Sequence, residues 1–235
     1  MRQGESRRRS APDLGIAWNE SADSLADSAP LEPTALHALR IESVCGWLMD
    51  GGLKSVADLG CGDGLLVHRL LAHTDFHKVV GVDISAETLL KLERERTADI
   101  QSGRLHLVHG SFTERHRELL DVEAVAMVET IEHIPPTRLS RLEHRVFAQL
   151  RPSTVVITTP NQEYNVLFGM SPGQMREAGH CFEWPRARFR QWVCGVAMRH
   201  GYALQFHGIG EEDSRLGSPT QAARFERLDA RHRPQ

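Results

Sequence analysis

A glycine-rich loop at a strand-to-helix junction constrains this chain more than any other feature. Residues 55–59 read as a buried strand and a helical pattern begins at Leu65, so Gly60, Gly62 and Gly64 fall between the two elements. Glycines at such a junction permit unusual backbone angles and let a ligand approach the main chain. A dinucleotide site would need its last glycine at position 65, where leucine stands. The loop, with the spacing G-x-G-x-G, therefore indicates a binding site for a nucleotide-type ligand.

Strands and helices are predicted to alternate along most of the chain. The first helix carries Leu36 and Leu48 and stops at Gly51. Later helices are predicted at 65–72, 85–97, 137–150 and 186–200, and the strands after 55–59 at 78–84, 104–108, 124–128, 154–159, 202–207 and 222–227. This order predicts an α/β fold with a seven-stranded, mostly parallel sheet and helices on both faces.

Two segments fall outside this alternation. Residues 1–30 are rich in Ser, Ala, Asp and Arg, which predicts a disordered tail, and residues 31–230 are predicted to form one domain. Residues 161–184 form the one long irregular stretch inside that domain. Loops of this length are usually functional or disordered.

Charge and cysteine content narrow the function classes. Among 235 residues, 28 Lys and Arg stand against 31 Asp and Glu, so the net charge of −3 excludes a general duplex-coating protein but not an enzyme that contacts a nucleic-acid end. The four cysteines contain no C-x-x-C pair, and neither a secretory signal nor an apolar run of roughly 20 residues is found. We therefore expect reduced thiols, no membrane span and a cytoplasmic location.

Two carboxylates accompany the glycine loop. Asp58 stands just before it, and Asp83 ends the next predicted strand, whose carboxyl end should share one crevice with the loop. This combination resembles class I S-adenosylmethionine-dependent methyltransferases, which have a Rossmann-like fold. The resemblance implies that the loop, with Asp58, Gly60, Cys61 and Gly62, lies against the methionine part of S-adenosylmethionine. It also implies that Asp83 holds the ribose and that Ser111, after the third strand, borders the adenine.

A second cluster follows the fourth predicted strand. If residues 129–133 form a helical turn, Glu129, Glu132 and His133 share one face and could bind a divalent cation. Mixed oxygen and nitrogen ligands suit Mn²⁺, Fe²⁺, Co²⁺ or Zn²⁺ better than Mg²⁺. The alternative is a Glu-His pair that simply closes the cofactor pocket. Because the fourth and fifth strands should be neighbours, the loop after the fifth strand could bring His180 to the same ion.

Three motifs together resemble the Hen1 family of RNA 3′-terminal ribose 2′-O-methyltransferases. They are Glu-x-x-Glu-His at 129–133, Pro-Asn-x-Glu-Tyr-Asn at 160–165 and His-x-Phe-Glu-Trp at 180–184, with support from Leu36, His37 and Arg40 and from residues 218–225. The resemblance implies that Glu129, Glu132, His133 and His180 are the catalytic residues and bind one divalent cation, with Mn²⁺, Mg²⁺ and Co²⁺ as candidates. It implies an RNA 3′ end as partner, within RNA-repair or small-RNA machinery.

The chain departs from the family pattern at one place. Where the family often has Arg-His-x-Asp-His, residues 176–180 read Arg-Glu-Ala-Gly-His, so the acidic residue and one histidine of that pattern, which could support His180, are missing. Two other functions stay open at this point. One is a small-molecule O-methyltransferase acting on a catechol-like or quinone-type substrate, for which the motif at 180–184 has no role. The other is a non-catalytic module that binds an RNA end or the cofactor.

Overall fold

Seven strands in a single sheet form the centre of the structure, a computed structural model that describes residues 33–228. The predicted tail at 1–30 lies outside the described residues. The strands are β1 (Ser55–Leu59), β2 (Lys78–Asp83), β3 (Leu105–His109), β4 (Ala124–Val128), β5 (Thr154–Pro160), β6 (Tyr202–Ile209) and β7 (Thr220–Arg227). Their order is β3-β2-β1-β4-β5-β7-β6, and β7 is the one strand of this sheet that runs antiparallel to the other six. The predicted sheet is confirmed.

Helices cover both faces of this sheet. They are α1 (Pro33–Asp50), α2 (Leu65–Leu71), α3 (Ala86–Glu95), α4 (Thr97–Gln101), α5 (Leu139–Glu143) and α6 (Arg186–His200). One apolar layer joins α1, α2 and α3 to the sheet through side chains such as Leu48, Leu70 and Leu92. The other joins α5 and α6 to the opposite face, with Phe147 and Phe189 fully buried. Burial on both sides explains why every residue of β1 and β4 is buried.

Two predicted helices differ from the structure. The helix predicted at 85–97 is capped by Ser85, whose Oγ accepts from the Thr88 amide at 3.3 Å, but it ends at Glu95 because Arg96 leaves helical geometry. The helix predicted at 137–150 consists of three pieces, a 3₁₀ turn at Pro136–Arg138, then α5, then a π-helical segment at His144–Leu150. Nothing in the sequence pattern predicts the wider helical turns of this π-helical segment.

The irregular segment predicted at 161–184, called here the insert, connects β5 to α6. It begins with a 3₁₀ helix at Gln162–Phe168 and has no other helix, and its isolated bridge pairs Asn161 with Trp184. Because β5 lies beside β4, the insert starts next to the loop that follows β4. None of the helices within residues 33–228 is both long enough and apolar enough to cross a bilayer.

Candidate active site and metal centre

The glycine loop lies at the carboxyl edge of the sheet, between β1 and α2. The amides of Gly60 and Cys61 donate to the Val82 carbonyl at 2.8 and 3.1 Å, which ties the loop to the end of β2. Gly60 has a φ of +81°, and a Cβ there would lie 2.6 Å from Cγ2 of Thr130. Gly62 has a φ of +49° with open space where a Cβ would stand. The loop thus needs glycine for close packing at one position and leaves its backbone accessible at another.

The two acidic residues of the crevice differ in their surroundings. Asp83 accepts hydrogen bonds from the amides of Gly62 and Ser85, both at 2.8 Å, so one carboxylate joins the glycine loop to the start of α3. Asp58 is buried, and this burial, followed by repulsion from Asp83, raises the pKa of Asp58 to about 7. Burial also raises the pKa of the Cys61 thiol, which makes that sulfur a packing group and not a nucleophile.

Ser111 completes the predicted cofactor set. It follows β3, and its Oγ lies 2.7 Å from Oγ1 of Thr113. The six predicted cofactor residues therefore lie at or beside the carboxyl ends of three adjacent strands, around one crevice. Their contacts with a cofactor stay a prediction.

A second group of side chains lies beside this crevice. One ligand atom each from Glu132, His133 and His180 lies within 4.8 Å of the others, and this set is called here the ligand trio. The two imidazole rings meet edge to face with their centroids 4.8 Å apart. The predicted approach of His180 to Glu132 and His133 is confirmed. It depends on the insert, since the Cys181 amide donates to the Glu132 carbonyl at 2.7 Å.

Glu132 has the surroundings expected of a metal ligand. Its side chain is fully buried, Thr159 Oγ1 donates to Oε2 at 2.9 Å, and Oε1 has no hydrogen-bond partner. Burial, and then the nearby Glu129 carboxylate, raises the pKa of Glu132 well above its ordinary value. A buried carboxylate oxygen without a partner costs free energy unless a cation or proton satisfies it. The trio therefore fits a divalent cation.

Hydrogen bonds orient both imidazoles of the trio. Nδ1 of His133 lies 3.2 Å from the Gly179 carbonyl, and Nδ1 of His180 lies 2.6 Å from Oε1 of Glu183. A carbonyl or carboxylate oxygen only accepts, so each Nδ1 carries the proton. In both rings Nε2 is left as the nitrogen that can bind a cation.

The structure does not bring Glu129 into the trio. The 3₁₀ turn that holds Glu132 and His133 begins at Ile131, so Glu129 lies before it, with a left-handed φ of +50°, and does not share a helical face with the other two. Its carboxylate accepts from Thr158 Oγ1 at 2.8 Å and pairs with Nη2 of Arg40 at 3.1 Å. A role for Glu129 as a ligand stays a prediction.

Two motif residues at the start of the insert fasten it to neighbouring segments. Asn161 accepts from the Glu163 amide at 3.1 Å and donates to the carbonyls of Leu216 and Ser218 at 2.7 and 2.9 Å. Glu163 accepts from Nε and Nη2 of Arg186 at 2.9 and 2.7 Å, which fastens the start of the insert to the start of α6.

A cleft of about 1150 Å³ opens from the trio toward α1 and α2. Its wall contains His37, Arg40, Phe168 and Arg176 in addition to His133 and His180. Arg176 donates through Nε to Asn165 and through Nη2 to the Asn161 carbonyl, while Nη1 has no partner. The cleft can therefore admit an extended ligand whose end reaches the trio.

Some residues of this site could not be assigned from the sequence. Thr158 and Thr159 lie in β5, where they read as part of a buried strand, yet their hydroxyls bind Glu129 and Glu132. Glu183 belongs to a motif, but no pattern identifies its partner. Arg40 lies in α1 and Glu129 follows β4, so they are far apart in the sequence. The fold brings them together as an ion pair.

Comparisons with known proteins agree with this geometry. A family model described as "Methyltransferase domain" matches residues 56–153. The solved methyltransferase domain of the bacterial protein CtHen1 is 35% identical, with a TM-score of 0.73, and the match covers 83% of this chain and 100% of that one. The chain belongs to the Hen1 family. Its fold is that of the class I methyltransferases, and S-adenosylmethionine is the cofactor that this fold supports.

Two longer relatives show how much of a Hen1 protein this chain spans. A "Small RNA 2′-O-methyltransferase" of Rattus norvegicus is 38% identical over 168 residues, which are 67% of this chain and 41% of that protein. A crystal structure titled "small RNA methyltransferase HEN1" matches with a TM-score of 0.78 and 27% identity over 89% of this chain and 27% of that one. This Hen1-family chain therefore spans well under two thirds of these relatives.

Proposed function

We propose that this chain transfers a methyl group from S-adenosylmethionine to the 2′-oxygen of the 3′-terminal ribose of RNA, with one divalent cation. The ligand trio carries the proposal, because it places two imidazoles and a buried carboxylate with an unpartnered oxygen beside the cofactor crevice. Relatives named for small RNA 2′-O-methylation support the acceptor. A small-molecule acceptor is less well supported, since the insert that supplies His180 would then have no substrate-related role.

The reaction needs alignment more than acid–base strength. When bound, S-adenosylmethionine supplies an activated methyl group and a divalent cation lowers the pKa of the ribose hydroxyl and fixes its direction. The 2′-oxygen bonds to the methyl carbon as the methyl–sulfur bond breaks, which yields the 2′-O-methyl ribose, S-adenosylhomocysteine and a proton. Asp83 and the glycine loop would orient the donor, and Glu132, His133 and His180 would hold the cation, with Glu129 as a further candidate.

The rest of the RNA end would lie in the cleft. Arg176 lines the cleft and is the proposed contact to a phosphate. Few phosphates need to be neutralised at one end of a strand, which is compatible with a net charge of −3. All four cysteines are free thiols, which supports the proposal of a reducing, cytoplasmic compartment. Machinery for RNA repair or small RNAs is the proposed setting.

The test uses one short RNA with four different 3′ ends. The ends carry both hydroxyls, a 2′-deoxy ribose, a 3′-deoxy ribose or a 3′-phosphate, and each is incubated with labelled S-adenosylmethionine with and without a chelator. We expect label only on the RNA with both hydroxyls, only without chelator, and we expect the product to resist periodate. Re-addition of Mn²⁺, Mg²⁺ or Co²⁺ after chelation identifies the ions that restore transfer.

Each of the following results would contradict the proposal. Equal transfer to the 2′-deoxy end would remove the terminal 2′-oxygen as acceptor. Equal transfer to the 3′-phosphate end would remove the requirement for a free 3′-hydroxyl. Transfer that is indifferent to chelator would remove the cation. Transfer to a catechol with none to RNA would favour the small-molecule alternative, and binding of S-adenosylmethionine without any transfer would favour the non-catalytic module.

A further inference from the structure

Glu183 is a buried carboxylate of the insert that receives three hydrogen bonds, and neither the trio nor the cleft includes it. The residue is 6% exposed, and three donors reach its carboxylate at 2.6 Å. Oε1 accepts from Nδ1 of His180 and from the Arg176 amide, and Oε2 accepts from Nδ2 of Asn165. Asn165 is fixed in turn by Nε of Arg176, which donates to its Oδ1 at 2.7 Å.

These hydrogen bonds hold the Glu183 carboxylate in one orientation, from which it can orient the His180 ring. Both oxygens are engaged, so the carboxylate cannot rotate without breaking hydrogen bonds in a buried environment. A hydrogen bond from Nδ1–H of His180 to such a carboxylate selects one tautomer of the ring. It also directs Nε2 toward Glu132 and His133 and makes Nε2 a stronger metal ligand. The sequence supplies no acidic residue at the position just before His180, where the family pattern often has one.

Gly179 explains why support from that neighbouring position would be difficult in this chain. Its carbonyl receives Nδ1–H of His133 at 3.2 Å, and a Cβ built on it would lie only 3.2 Å from that same Nδ1. A side chain at position 179 would therefore crowd His133. The carbonyl of Gly179 thus orients the imidazole of His133, and the carboxylate of Glu183 orients the imidazole of His180.

We propose that Glu183 is the positioning residue for His180. This inference rests on the proposed function, since it assigns Glu183 to the same cation site. Glu183 does not touch the cation or the RNA. It acts through His180, by fixing the tautomer and direction of the ring.

The test compares two glutamate-to-glutamine changes in the insert. Glu183→Gln keeps the shape but removes the charge beside His180, and we expect Co²⁺ affinity, measured by calorimetry without RNA, to fall about 10- to 100-fold. The affinity for S-adenosylmethionine should not change. Glu163→Gln is the matched control, because Glu163 holds Arg186 and has no contact with His180. It should leave Co²⁺ affinity within about 2-fold of the wild type.

A double variant and a spectroscopic measurement separate positioning from folding. In a His180→Ala background, Glu183→Gln should cause no further loss of Co²⁺ affinity. Long-range ¹H–¹⁵N spectra of the metal-free protein should show His180 protonated at Nδ1, and a mixture of tautomers in Glu183→Gln. Both variants should give native circular dichroism spectra.

The outcomes distinguish this inference from the proposed function. If the wild type binds Co²⁺ and Glu183→Gln binds it equally well, the inference is wrong and the proposed cation site stands. Equal losses in Glu183→Gln and Glu163→Gln, or a further loss in the His180→Ala background, would also overturn it. If the wild type binds neither Co²⁺ nor Mn²⁺ at all, the cation-dependent function fails and the inference fails with it.

Discussion

The cofactor crevice and the ligand trio lie side by side but are built in opposite ways. The crevice is made largely by backbone at adjacent strand ends, where the Gly60 amide donates to the Val82 carbonyl and the Gly62 amide donates to the Asp83 carboxylate. The trio is made by side chains from two segments that meet only because β4 and β5 are neighbours. The insert that completes it has little regular structure of its own.

This difference separates cofactor binding from acceptor chemistry. A backbone cradle tolerates many side chains and so recurs in methyltransferases with unrelated substrates, whereas the trio requires particular residues at particular places. Substitutions in one region should then leave the other region's ligand unaffected. Three predictions test whether the crevice and the trio bind their ligands independently, and each has an outcome that would contradict this.

The largest effect is expected from His180→Ala. The change removes one imidazole from the trio, and we expect methyl transfer to RNA to fall on the order of 1000-fold while S-adenosylmethionine affinity stays within about 2-fold. Labelled methyl transfer and calorimetry measure the two quantities. The exposed His77 serves as control, since His77→Ala should change neither. A parallel loss of cofactor affinity in His180→Ala would show that the two regions are one site.

An intermediate effect is expected from pH, through Asp58. The pKa of Asp58 rises from 3.8 to about 7 on folding because of burial, so between these values the unfolded chain releases a proton that the folded chain keeps. Ionisation therefore favours unfolding, and stability contributed by this group falls as pH rises from about 4 to about 7. We expect a loss of about 2–3 kcal/mol between pH 5 and pH 8 that is absent in Asp58→Asn.

Urea unfolding of the wild type and of Asp58→Asn, without cofactor, measures this difference. His180→Ala should retain the wild-type contribution, because Asp58 belongs to the crevice. An identical pH dependence in the wild type and in Asp58→Asn would mean that the buried carboxyl ionises as it does in the unfolded chain.

The smallest effect is expected from Asp83→Asn. The change replaces the charged acceptor of two amides with a neutral one and removes the charge proposed to hold the ribose hydroxyls. We expect the dissociation constant for S-adenosylmethionine to rise about 10-fold, and Co²⁺ affinity to stay unchanged. Calorimetry with each ligand gives both values. Weaker Co²⁺ binding in this variant would contradict the separation of the two regions.

Much of this molecule could be predicted from local sequence patterns. The glycine loop, the seven strands and the crevice with Asp83 follow from apolar runs and from the rule that parallel strand ends meet at one edge. The boundaries of β1 and β4 match the predicted residues, and α6 spans the predicted 186–200. The break between α3 and α4 and the π-helical segment could not be predicted, because packing against the sheet overrides a continuous helical pattern.

The sequence by itself determined the sheet, the donor crevice and the identity of the chemical groups. Those features depend on hydrophobic periodicity and on residues that are close along the chain. The resemblance to the Hen1 family predicted that His180 meets Glu132, and the structure confirms it. Only the tertiary structure decided that Arg40 and Thr158 engage Glu129 and that Glu183 supports His180. Such contacts depend on which strands are neighbours and on how an irregular segment packs, and neither leaves a periodic trace in the sequence.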